Sequence, residues 1–321
     1  MILTSRKGYK TGRTTSTHVF DDARVRVLVC GVGAVGCEAL ESVAVSLGDA
    51  VATLWIDADD AAGPLPSPLT LRVRLNAAAG AEQALSPTPT SAQRNPIEDA
   101  LHQAHLVIVL ADLGNAMGRA ATKALLAMAR EHAFATVACV VLPEADQGAQ
   151  RVASALAALD EIAQDVDACL PVREGRFRDL PEEAPARTPG AVFAEVVRAL
   201  ARPVLFPAAV RLDFADISGF LKKSGRIAVG IGRAAGADRA VAAAKSAMAF
   251  PLFGRVLPAR AVRSLLIVHG GSDLHMQELQ SLISHTKKRL AENCSCLIGV
   301  HLDEEPHPAV EINILCATDE K

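Results

Sequence analysis

VRVLVCGVGAVGCEALESVAVSLG, residues 25–48, opens with an apolar strand, passes through three closely spaced glycines and runs into a helix. Backbone amides at such a turn can approach a phosphate at the positive end of the helix. The same glycines also suit a tight strand-to-helix turn that needs them for packing alone. VATLWIDA, residues 51–58, reads as the next strand. A strand, a helix and a second strand in that order imply parallel β-α-β packing. Asp57 ends the second strand about where a dinucleotide site places its ribose-binding carboxylate, so a nicotinamide-dependent oxidoreductase is one reading of this stretch.

Outward from there the alternation continues. LVIVLAD is a strand, GRAATKALLAMAREH a helix, FATVACVVLP a strand and QGAQRVASALAALDEIAQ a helix, carrying the pattern to about Leu170. RFRDLPEEAPARTPG breaks it, and AVFAEVVRALARPVLF begins a long apolar helix suited to join two domains. The second half predicts a strand at RIAVGIG, a helix through ADRAVAAAKSAMAF, a strand at SLLIVHG and a helix across MQELQSLISHTKKRLAEN. SCLIGVHL and AVEINILCAT, separated by the turn-like DEEPHP, predict an antiparallel pair. Residues 61–97 read as loops around one short strand, LTLRVRL, and residues 1–20 as a polar, basic arm. The expected organisation is α/β. A tail, 1–20, precedes a Rossmann-like parallel-sheet domain, 21–187; a central helix and linker, 188–211, lead to a smaller α+β domain, 212–321.

A net charge of -3, one Trp, one Tyr and no basic stretch interleaved with aromatics argue against a nucleic-acid partner. No apolar run is long enough to span a bilayer and the N-terminus lacks the apolar middle of a secretory signal, so no integral membrane segment and a cytoplasmic location are expected. Most of the seven cysteines fall in apolar runs (Cys30, Cys139, Cys169, Cys316), which predicts reduced, buried thiols. Cys294 and Cys296 form a lone C-x-C, read as two faces of one strand rather than a metal site. The histidines at 269, 275, 285, 301 and 307 are scattered over different elements, and Ser272 lacks a nucleophile-elbow context.

Several motifs together resemble the FtsZ/tubulin family. GVGAVGCEAL, residues 31–40, resembles its first nucleotide loop, and WIDADD its second, with Asp57 on the acidic position. RLDFADI, residues 211–217, resembles the synergy loop NxDxxD, and GADRAVAAA, residues 236–244, the GEDRAxxAA helix start. Pro251-Leu252 and the run from Gly270 to Leu274 follow at the expected intervals. The resemblance covers roughly residues 25–318 and implies the two-domain fold of that family. It also implies a site for GTP or GDP with Mg2+, contacted by Gly31, Val32, Gly33, Ala34, Gly36 and Cys37 of the first loop, by Asp57, and by Gly114, Gly118 and Arg119. By the same resemblance, Asp213 and Asp216 are the catalytic acids that one subunit offers to the nucleotide of the next. Read from the residues alone, two acids three apart at a helix start are a helix cap.

The chain departs from the family where phosphate is held. The signature GGGTGTG corresponds to Gly114-Asn-Ala-Met-Gly118-Arg-Ala, and Ala116, Met117 and Ala120 offer neither glycine's backbone freedom nor a hydroxyl. Glu38 replaces the first loop's Asn and Asp112 a glycine, while no acid stands near Gly190 or Ala191 to read guanine. The loop that offers an Asn near the ribose is PVREG, with Arg173 and Glu174. Arg119 either clamps a phosphate or pairs with Asp112 or Glu38 and fills the pocket. Arg211, in place of the synergy-loop Asn, is suited to grip an acidic pocket on a neighbour. The expected function is a cytoskeletal or scaffolding subunit forming homo-oligomers or filaments head to tail, with weak, altered or absent GTP turnover. The alternatives are a nucleotide-free protein that co-assembles with another FtsZ-like polymer, and the oxidoreductase.

Overall fold

The structure is a computed structural model and describes residues 25–57, 70–74, 96–222, 224–253 and 258–317; the basic arm lies outside them. The first half contains β1 (Val27–Val32), α1 (Gly33–Leu47), β2 (Ala52–Asp57), β3 (Thr70–Arg74), α2 (Pro96–Gln103), β4 (Leu106–Asp112), α3 (Ala116–His132), β5 (Ala135–Leu142), α4 (Ala149–Asp165) and β6 (Ala168–Arg173). The second half contains α5 (Pro189–Leu205), α6 (Phe214–Leu221), β7 (Gly225–Ala235), α7 (Arg239–Met248), β8 (Arg263–Gly270), α8 (Met276–Lys287), β9 (Ser295–Leu302) and β10 (Ala309–Ala317).

The strands form one sheet in the order β3-β2-β1-β4-β5-β6-β7-β10-β8-β9. From β3 to β6 it is parallel. β1 and β5 are buried along their whole length, which requires cover on both faces. Successive side chains point to opposite faces, so Val27 and Val29 join one core cluster and Leu28 and Cys30 another. Helices α1 and α5 cover the first face, and α2, α3 and α4 the second. β6 and β7 meet only through Ala168–Gly225 and Cys169–Arg226, where the sheet is thinnest. Beyond them, Leu265, Ile267 and Leu315 pack towards α5 and α6, while α7 and α8 cover the opposite face around Leu266, Val268 and Ile314. The apolar helix α5 therefore seats both halves of the sheet.

Three expectations are corrected. β9 and β10 run antiparallel but do not pair: β8 lies between them, parallel to β9 and antiparallel to β10. β10 is buried at every position but Glu311 and Asn313 and takes the middle place between β7 and β8, whereas β9, with an exposed start, takes the edge. Cys294, which precedes β9, and Cys296 within it do not face opposite ways. Both meet Ser264, whose hydroxyl donates to Cys296 Sγ at 3.1 Å and accepts from Cys294 Sγ at 3.5 Å. PVREG is not all loop either, since Pro171–Arg173 complete β6. Helix α2 was not anticipated; its sequence, PIEDALHQ, is short and only weakly apolar.

The smaller half is fastened by Arg239, which is 7% exposed. Its guanidinium donates to Asp273 Oδ2 at 2.8 Å, to Glu278 Oε1 at 2.9 Å and to the carbonyls of His307 and Asp273 at 2.7 and 3.1 Å. Asp273 also accepts from the His307 amide, and Glu278 from the His275 amide that starts α8. One arginine thus ties α7, α8 and two loops, and its charge is compensated by two carboxylates.

Candidate functional site

At the carboxyl ends of the parallel strands, β1 runs straight into α1. A Cβ on Gly31 would fall 2.6 Å from the Gly36 carbonyl oxygen, and one on Gly36 2.5 Å from Gly31 Cα. These two glycines let strand and helix touch. Gly33 has φ +65°, a conformation favoured for glycine, and the Met117 methyl lies 3.7 Å from where its Cβ would be. Val32 gives α1 no side-chain cap, and Ala34 in its first turn is exposed. The thiol of Cys37 donates to Glu41 and is raised above its ordinary pKa, first by burial and then by the Glu41 and Asp57 charges. Asp57 ends β2 beside this turn.

The loop after β4 is closed on itself. Asp112 accepts from the Gly114 amide at 2.7 Å, and Asn115 caps α3 by accepting from the Gly118 amide at 2.5 Å. A Cβ on Gly118 would stand 2.0 Å from the Asp112 carbonyl oxygen, so glycine is required there by packing. Arg119 does not pair with Asp112 or Glu38. Its guanidinium turns back and donates to the Leu113 carbonyl at 3.0 Å, an acceptor within the same loop. The cation near this loop is instead Arg151 on α4, which sequence reasoning missed. A Cβ on Gly114 would meet its Nη2 at 2.6 Å, and the exposed guanidinium has no hydrogen-bond or ion-pair partner among the described residues.

Glu38 leans across to the start of α5. It accepts the Thr188 hydroxyl, while Thr188 accepts from the Ala191 amide at 3.2 Å as the helix cap. A Cβ on Gly190 would lie 2.6 Å from the Glu38 carboxylate. The position that lacks an acid in α5 therefore has one delivered from α1. The Arg173–Gly175 loop is bound to its neighbour by Gln147 donating to Glu174 at 2.6 Å and Gly175 donating to Glu144 at 2.7 Å.

Asp213 and Asp216 lie elsewhere, at the start of α6. They form a reciprocal capping box: the Asp216 amide donates to Asp213 at 2.8 Å and the Asp213 amide to Asp216 at 3.0 Å. The helix-cap reading of the pair is therefore realised, and each carboxylate keeps one oxygen outside the cap. Phe214 packs edge-on against His105 (5.9 Å between ring centroids), and His105 stacks on Phe134 (5.7 Å). His105 immediately precedes β4, whereas Asp112 ends it. The two acids and the glycine loops thus lie at opposite ends of the parallel strands, along which the sheet has two rims about 20 Å apart. The edge bearing the acids also carries exposed Phe134 (61%), Val210 (43%) and Arg211.

Comparison with known proteins agrees with this fold. Residues 225–319 match the family described as FtsZ family, C-terminal domain. The chain is 23% identical over 307 residues to cell division protein FtsZ 1 of Pyrococcus horikoshii, covering 92% of this chain and 82% of that protein. It is 28% identical over 204 residues to cell division protein FtsZ 1 of Archaeoglobus fulgidus, covering 62% and 55%. Among solved structures, an empty FtsZ dimer of M. jannaschii superposes with a TM-score of 0.73 at 20% identity, covering 93% of this chain and 89% of that one. CetZ2 of Haloferax volcanii, in a GTPγS-bound protofilament, superposes with a TM-score of 0.67 at 16% identity, covering 92% and 93%. The fold is that of the FtsZ/tubulin superfamily. Residues 225–319 carry the FtsZ C-terminal-domain pattern, and along most of its length the chain is a divergent likeness of FtsZ. The oxidoreductase reading is left without support.

Proposed function

We propose that the chain is a cytoskeletal or scaffolding subunit that associates head to tail and keeps a weak, altered site for guanine nucleotide. The observation that carries this reading is the separation of the two half-sites. Asp213 and Asp216 stand about a strand's length from the glycine loops of their own chain, so they meet a ligand at those loops only when one subunit stacks on the next. Such a heterologous contact repeats into a filament. The domain division at 21–187, 188–211 and 212–321 is proposed with it, the thin β6–β7 junction lying near the start of the second unit.

The residues present fit a nucleotide in part. The uncapped amides of α1 and Arg151, without a partner among the described residues, suit phosphate, and the Glu38 carboxylate suits the N–H donors of a guanine edge. GTP with Mg2+, when bound, would supply a phosphoanhydride. Asp213 and Asp216 of the adjacent subunit would orient water with the carboxylate oxygens that lie outside the cap. Against tight binding, Gly114 and Gly118 spend their amides on Asp112 and Asn115, and Met117 closes on Gly33. Those same contacts favour the second reading, a nucleotide-free subunit that co-assembles with another FtsZ-like polymer.

Light scattering with a chain-terminating variant tests the head-to-tail contact. Phe134→Glu places a charge on the edge with the two acids and leaves the glycine loops intact. The expected result is concentration-dependent assembly of the unaltered chain, no assembly of the variant alone, and arrest of the unaltered chain by substoichiometric variant. Equal assembly of both chains, or none of the unaltered chain at any salt or protein concentration, contradicts the proposal.

A further inference from the structure

An open groove of about 550 Å³ runs along the outer surface between α7 and α8, lined by Val241, Gln277, Gln280, Ser284, His285 and Lys288. A smaller hollow of about 170 Å³ continues it to the start of α7, sharing Val241, Gln277 and Ser281 and lined also by the acids Asp238 and Glu278. From Gln277 to Lys288 the helical rise gives a length of about 16 Å, room for about five extended residues. The larger part has a single apolar lining residue, Val241. Gln277 and Gln280 have no side-chain hydrogen-bond partner among the described residues, so their amides are available as both donors and acceptors.

Charge is distributed unevenly along the groove. Lys245, at the end of α7, and Lys287, Lys288 and Arg289, at the end of α8, are all exposed. The two helix C-termini offset about one unit of positive charge between them, which leaves most of these four cations uncompensated. Arg289 donates to the ring of His285. His285 is held below its ordinary pKa, first by burial and then by Arg289, Lys245 and Lys288, with no carboxylate acting on it. Of the two acids in the smaller hollow, Glu278 is committed to Arg239, and both lie at the helix starts, away from Lys288 and Arg289.

We propose that this groove docks an acidic, extended peptide of about five residues from a partner protein. Its carboxylates face Lys245, Lys288 and Arg289, and its backbone follows Gln277, Gln280 and Ser284. A groove lined by two amides, two hydroxyls and one valine, with His285 and Lys288 at one end, suits a peptide backbone better than a lipid surface, which rewards an apolar row inserted beside the cations. The surface lies apart from both half-sites described above and the inference does not depend on nucleotide.

Fluorescence anisotropy of labelled hexaglutamate against the full chain tests it. Saturable binding is expected at low ionic strength, weakening as salt rises from about 0.05 to 0.3 M. The double reversal Lys288→Glu/Arg289→Glu, both on the surface, should weaken binding at least about tenfold with an unchanged thermal midpoint. Gln280→Ala should weaken it less. No binding of hexaglutamate, or binding that both variants retain, overturns the proposal. Hexaglutamate failing while vesicles rich in anionic phospholipid bind through the same lysines would also overturn it, in favour of a membrane surface.

Discussion

The glycine-loop edge and the Arg239 clamp both retain residues that resemble the FtsZ pattern, but different forces hold them. Arg239 is fixed by two carboxylates and two backbone carbonyls, and nothing about it needs a ligand. At the glycine loops, Gly31, Gly36 and Gly118 are likewise demanded by the fold, since a Cβ on any of them would strike backbone. Their presence is therefore a statement about packing and is weak testimony for nucleotide. What the fold does not require there is Arg151, an exposed cation lying on Gly114 with no partner among the described residues, and Glu38, a carboxylate carried to the start of α5. A binding role rests on those two residues, and the glycines supply only the frame.

The comparison can be broken first at the clamp. Arg239→Ala leaves Asp273 and Glu278 facing each other without their cation, and a loss of about 3 kcal/mol in denaturant-derived stability is expected. A loss under about 1 kcal/mol would mean the clamp is ornamental. Asp213→Ala removes one arm of the α6 capping box and should cost about 1 kcal/mol, read the same way. Because the acid edge also serves the proposed contact, this variant should impair assembly by more than that small loss of stability explains.

His269 sharpens the contrast through pH. It lies 3.0 Å from Asp303 and 3.8 Å from Glu311, and is raised above its ordinary pKa chiefly by Glu311, against the cost of burial. Glu311 counts more despite its greater distance because it is the more enclosed of the two carboxylates. Arg202 on α5 opposes the shift, and the neighbouring His301, linked to the Pro207 carbonyl, is lowered by burial. A raised histidine stabilises the fold below its unfolded pKa of about 6.5 and loses that contribution as pH rises through the folded value. Thermal midpoints should therefore show His269→Gln less stable than the unaltered chain near pH 6, with the gap closing towards pH 9. The smallest effect on stability is expected from Arg151→Ala, within about 0.5 kcal/mol, since the side chain is exposed and unpaired. A large loss would show that Arg151 is structural after all.

Much of this was legible in the sequence. The buried strands announced themselves as unbroken Val, Leu and Ile runs, and the order of motifs from Gly31 to Leu274 fixed the fold. Strand adjacency was not legible, because DEEPHP looks like a hairpin while β10, buried at every position but Glu311 and Asn313, is pulled inward between β7 and β8. At the candidate site, Asp112 and Asn115 belonged to the loop as read, but Arg119 and Arg151 exchanged places as the nearby cation. A guanidinium reaches far enough that sequence position alone does not say where it lands. The acid at the start of α5 was sought near Gly190 along the chain, and it arrived from Glu38 through space. His269 and its two carboxylates are brought together only by strand pairing.

The most direct test of a weak but surviving nucleotide site is the thermal midpoint of the unaltered chain, Arg151→Ala and Glu38→Ala, each with millimolar GTP, GDP or ATP and magnesium. A ligand present near its Kd stabilises by about 0.4 kcal/mol, a rise of about 1 °C. The account predicts such a rise with guanine nucleotides for the unaltered chain, its loss for every nucleotide in Arg151→Ala, and loss of guanine preference in Glu38→Ala. No rise with any nucleotide, or a rise that survives both substitutions, contradicts it.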